Sequence, residues 1–177
     1  MIQISEGLVG KTWLEIGGLT NLSEIKKLGA DFSKQQPSLV EFVMEFTKNL
    51  RPDVRDLGFY VALVVWQCFE RAFSKRLKKI PSQKIIDAYE AFDSELGSFV
   101  GAHDKFVQRK GETLAEYAQP AILLYVLETL FEEEGDVELT EDEQGELFTI
   151  LKVVSDCLCN SIPEGIRDEV PQNLAKI

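Results

Sequence analysis

Histidine is nearly absent: in 177 residues only His103 carries an imidazole, and the three cysteines, Cys68, Cys157 and Cys159, follow no framework spacing. With one histidine, neither the paired Glu-x-x-His motifs of a helical di-iron centre nor the two-histidine helix of a zinc protease can be assembled. Cys157 and Cys159 stand two apart, which on a helix turns their side chains about 200° from one another, so they cannot chelate one ion. An odd, unframed set of cysteines points to free thiols in a reducing compartment, and the expected location is cytoplasmic.

Bases are also scarce. Lys and Arg number 19 against 30 Asp and Glu, a net charge of −11, with a pI near 4.6. That balance argues against a general binder of nucleic acid or anionic membranes, which needs a dominant basic surface. The first twenty residues hold one base, Lys11, and no continuous apolar run, so no secretory signal is expected. The longest charge-free apolar stretch, Leu57 to Phe69, would make a helix of about 20 Å, whereas a bilayer needs about 30 Å. No period repeats, so a solenoid is not supported.

Two ligand motifs fail on inspection. Gly10, Lys11 and Thr12 match the end of a phosphate loop, but Ser5 stands where its first glycine belongs, and residues 7–12 read instead as a flexible turn. A calcium loop opening at Asp136 would need glycine at its sixth position and an acid at its twelfth, where the chain has Glu141 and Leu147. No cofactor and no metal are therefore expected.

What is present is helical pattern. Residues 57–69 carry no charge on any side, which places such a helix inside a bundle. Val54, Leu57, Val61, Val65, Cys68 and Ala72 follow at steps of three and four, extending the helix to 53–78 with Asp53 as its cap. Further helices are expected at 22–30, 38–50, 82–101, 114–134 and 141–161. Residue pairs Asn21/Glu24, Ser38/Glu41, Thr113/Glu116 and Thr140/Glu143 have capping-box spacing. Pro120 either bends the fifth helix or begins it. The fold expected is all-α: one domain over 1–162, a bundle of five to six helices around the central 53–78 helix, with 121–131 beside it. Trp66, Phe69, Phe73, Phe92, Leu124 and Leu151 belong in its core. Four glycines in residues 1–20 suggest an irregular arm, and 163–177 reads as a tail.

The charge is laid out in blocks. Residues 132–146 carry nine acids and no base, and 71–86 carry six bases and no acid. The first block reads either as a solvated loop leading into a helix N-terminus or as a recognition surface for a basic partner. Glu132, Glu133, Glu134, Asp136 and Glu138, with Arg71, Lys75, Lys78 and Lys79 of the second block, form the candidate interaction surface. His103 with Asp104 is the one acid/base candidate, against a solvated loop histidine. The expected function is a non-enzymatic protein–protein interaction module, such as an adaptor, inhibitor or chaperone-like holder. The alternative is a small-ligand site or enzyme in a pocket lined by Tyr89, Tyr117, Tyr125 and Trp66. A homodimer is expected from the opposite charge blocks, from Gly97 and Gly101 four apart on one helix, and from apolar residues that the N-terminal arm leaves uncovered.

Overall fold

The computed structural model describes residues 2–73, 76–97, 117–131 and 136–166. Among the described residues the regular structure is entirely helical: α1 Glu6–Gly17, α2 Leu22–Gln35, α3 Pro37–Phe46, α4 Pro52–Ala72, α5 Ser82–Gly97, α6 Pro120–Phe131 and α7 Glu141–Ser161, followed by a single 3-10 turn, Glu164–Ile166. The rest of the expected tail lies outside the described residues. Among the described residues no helix is long and apolar enough to cross a membrane.

Two helices organise the bundle. From Val61 to Trp66 six consecutive residues of α4 are buried, so no side of it meets water there. It packs against α1, α2, α3 and α7, while α7 in turn borders α3, α4, α5 and α6. The position beside α4 expected for residues 121–131 is thus taken by α7, and α6 lies mainly against α1 and α7. The reason is burial: α7 hides Leu147, Ile150, Leu151, Val153, Val154 and Leu158, a wider apolar surface than one stripe supplies. Of the expected core, Trp66, Phe69, Phe73, Phe92 and Leu151 are buried, whereas Leu124 is only half-buried and its neighbours Leu123 and Tyr125 face inward. Trp66 stacks on Phe32 with ring centroids 4.9 Å apart. All three thiols are buried and none is in a disulfide, and burial pushes Cys68 and Cys157 up to about 12.

The helix ends correct the sequence reading. Residues 1–20 are not an irregular arm, and residues 7–12 are not a turn. Ser5 caps α1 by accepting from the Leu8 amide. Gly7 and Gly10 cost the helix about 1 kcal/mol each, but burying Leu8, Val9 and Ile16 returns about 1.5–3 kcal/mol per side chain. Gly17 and Gly18 fall at the end, where they cost little. α4 starts with Pro52 in its first turn and Arg51 as N-cap, so Asp53 is not the cap; proline suits that place because its missing N–H would have no partner there. α4 also stops at Ala72, short of residue 78. A non-helical strap, 76–80, follows, fastened by the Lys78 amide donating to the Ser161 carbonyl at 3.0 Å. Buried Gln36 donates to the Lys78 carbonyl and accepts from the Ile80 amide. Thr140 and Glu143 form the capping box. Asn21 caps α2 through the Ser23 amide, and α3 begins one residue before Ser38, at Pro37, so Ser38 cannot cap it. The Thr113/Glu116 pair lies outside the described residues. Pro120 begins its helix.

Where α4 crosses α7, a Cβ on Gly58 would stand 2.8 Å from Leu147 Cδ2. Overpacking costs about 1–3 kcal/mol, more than the ~1 kcal/mol of helix propensity that alanine adds. Gly58→Ala is therefore expected to lower stability by about 1 kcal/mol in urea unfolding. In a Leu147→Ala background the same change should instead raise it by about 1 kcal/mol; equal effects in both backgrounds would show that this contact does not limit the crossing.

Candidate interaction surface

The described residues of the two charge blocks stand on different elements. Arg71, in the last turn of α4, reaches across to α1, with Nη1 2.7 Å from Glu15 Oε2 and 3.3 Å from Thr12 Oγ1. It ties α4 to α1. Lys78 and Lys79 are exposed on the strap, where with Lys84 they border a hollow of about 480 Å³. Asp136 and Glu138 are exposed in the loop ahead of α7. Lys75, Glu132, Glu133, Glu134, His103, Asp104 and Gly101 lie outside the described residues.

The four aromatic residues expected to line one pocket are dispersed. Tyr89 packs with Phe42 and Phe46 between α3 and α5, and Trp66 is buried against Phe32. Tyr117 sits over Lys152, whose Nζ is 4.9 Å from its ring and 5.3 Å from that of Phe92. Lys152 is itself buried and paired with Asp156 one turn on. Among the described residues no group of three His, Cys, Asp or Glu side chains could hold a metal ion.

A different surface stands out, built by α1, α2 and α4. α1 turns Leu8, Val9, Thr12 and Ile16 inward, which leaves Trp13 and Leu14 on its outer side, 45% and 65% exposed. The only buried residue of α2 is Phe32, so its N-terminal half holds Leu22 and Ile25 in solvent. One face of α4 presents Asp53, Asp56, Leu57, Tyr60 and Leu63 at steps of three, one, three and three. Together these helices enclose a groove of about 970 Å³, closed at one end by Thr129, Asp136 and Val137. A Cβ at Gly17 would meet the Tyr60 hydroxyl at 3.4 Å, an ordinary contact, and burial raises the Tyr60 pKa. Among the described residues, those lining the groove include three aspartates and no lysine or arginine.

The uncovered apolar residues near the N-terminus were legible in sequence; their partners on α4 were not, because Asp53 read there as a helix cap and Asp56 carried no separate signal. In the fold they are also the rim of the groove.

The loop that carries Asp136 is held by Arg51. Its Nε donates to Glu143 Oε1 at 2.9 Å, and Nη2 donates to the Glu138 carbonyl at 2.6 Å. The Arg51 guanidinium and the Thr140 amide hold the Glu143 carboxyl down to about 2, from an ordinary value of 4.5. A depressed carboxylate contributes stability above its unfolded-state value and loses it as pH falls through the folded one. The clasp is therefore expected to be intact above about pH 4.5 and to open towards pH 2. Carboxyl carbon shifts followed by NMR against pH should show Glu143 titrating at the bottom of that window, and Arg51→Met should move it upward. Titration unchanged in the variant would place the cause elsewhere.

No protein-family model, curated protein or solved structure matches this chain.

Proposed function

We propose that this protein is a non-enzymatic interaction module that presents the α1–α2–α4 groove to another protein. One observation carries the reading. Of the six large apolar side chains exposed among the described residues, three (Trp13, Leu14 and Ile25) line this groove, and a fourth, Leu22, stands at the start of α2. Scattered exposed apolar residues need no explanation, but a contiguous set around a concavity marks a contact surface. The cytoplasmic setting expected from the unframed cysteines belongs to the same proposal.

A photo-crosslinking residue in place of Leu14 should give an adduct of discrete mass in cells, while the same residue at Lys48, exposed in the turn after α3, should give none. Absence of adducts at position 14 would sink the module reading.

A homodimer through the opposite charge blocks is proposed as well. Among the described residues Arg71 engages Glu15 and Glu143 engages Arg51, so the acidic and basic blocks do not neutralise one another within the chain through these pairs. The exposed Lys78, Lys79, Asp136 and Glu138 are the groups that pairing between chains would use. Light scattering at tens of micromolar protein should give a dimeric mass at low salt that falls towards the monomer in 1 M salt, where the Debye length is about 3 Å. A monomer at low salt refutes the dimer, and a dimer unmoved by salt refutes its electrostatic cause.

A further inference from the structure

We infer that the groove seats an amphipathic helix of another protein, with lysine or arginine bordering its apolar face. The inference rests on the interaction-module reading and names the occupant. Recurrent modes of peptide recognition differ in what the receptor must offer. Strand addition needs an open sheet edge, and among the described residues there is no strand. Recognition of phosphorylated or acidic motifs needs a basic cluster, and among the described residues no lysine or arginine lines the groove. A helix laid in a groove needs an apolar floor with matched polar borders, which Leu57, Leu63 and Ile16 below and Asp53, Asp56 and Asp136 above supply.

Size agrees with this occupant. A helix about 10 Å across that rises about 1.5 Å per residue fills roughly 120 Å³ per residue. A groove of about 970 Å³ then takes about eight residues, or two turns, enough for apolar anchors at i, i+3, i+4 and i+7.

Charge decides between occupants. Arg51 Nη1 is 3.4 Å from Asp53, but that guanidinium is bonded mainly to Glu143, and Arg55 Nε stands 4.0 Å from Asp56. The rim is thus only partly compensated, on a chain whose net charge is −11. A second copy docking face to face would set the same three aspartates against each other, and like charges across an interface are disfavoured. A cationic border on the incoming helix meets the rim with opposite sign and is steered towards it.

The test uses the full chain and a fluorescein-labelled peptide of leucine and lysine, with leucines at helical spacing; a twin carries glutamate in place of lysine. Binding is read by fluorescence anisotropy. The lysine peptide is expected to bind at least about tenfold more tightly than the glutamate twin. Asp53→Asn, Asp56→Asn and Asp136→Asn together should weaken it about tenfold, and Leu14→Ser with Ile25→Ser should weaken it comparably without changing the charge. A control neutralising three exposed acids of α5 (Asp87→Asn, Glu90→Gln and Asp93→Asn) should leave it within about twofold. These residues are all exposed, and circular dichroism confirms that each variant is folded; should the serine pair fail to fold, the aspartate set against the α5 control still decides. Equal losses in the groove and control sets would mean attraction by overall charge alone and would overturn the inference. So would tighter binding of the glutamate twin, or an adduct at Leu14 whose mass is that of two copies of this chain. No peptide binding while a hetero-adduct at Leu14 still forms would reject a cationic helix as the occupant and leave the module reading standing.

Discussion

The crossing of α4 over α7 at Gly58 is the contact on which the other helices depend. Because position 58 has no side chain, Leu147 sits against the α4 backbone, and the two longest helices come close enough to share one apolar layer. α3, α5 and α6 then pack on α7, and α1 and α2 on α4. A side chain at 58 would press on the buried Leu147, and the layer on either side would have to spread.

Around this crossing, polar side chains fix elements that apolar packing alone would leave free to slide. Gln119, buried ahead of α6, accepts from the Ile4 amide at 2.8 Å and donates to the Ile2 carbonyl at 3.0 Å, joining the segment before α1 to α6. Gln36 does the same for the 76–80 strap. Each of these amides satisfies backbone groups that would otherwise be buried without partners, a loss of about 1–3 kcal/mol apiece. Trp66 is one exception, for its Nε1 has no partner among the described residues, so its place rests on packing with Phe32.

The groove follows from the same arrangement. α1 needs only one side of its surface to cover α4, and α2 is anchored chiefly through Phe32 near its far end, so the outer residues of both helices stay in water. Arg51 adds the third wall by clasping the loop of Asp136 and Val137 to the start of α4. The exposed apolar surface is thereby concave rather than flat, and its acids stand at the border, not on the floor.

Taken alone, the sequence determined the helical class, the burial of residues 61–66 within the uncharged stretch 57–69, the span 141–161 with its Thr140/Glu143 cap, and Pro120 as a possible helix start. These are local matters: periodicity, the chemistry of a capping side chain and the geometry of proline act within a few residues. It misread residues 1–20, because glycine content weighs against a helix until the burial of Leu8, Val9 and Ile16 against distant residues is counted. It extended α4 to residue 78, because the bonds that hold the strap come from Gln36 and Ser161, 42 or more positions away. The tertiary structure alone decided that α7 lies beside α4, that Arg71 ties α4 to α1 through Glu15, and that Asp53 and Asp56 border a groove with Trp13 and Ile25. Which helix lies beside which is set by non-local packing, and a linear pattern specifies the face that is buried but not the surface that buries it.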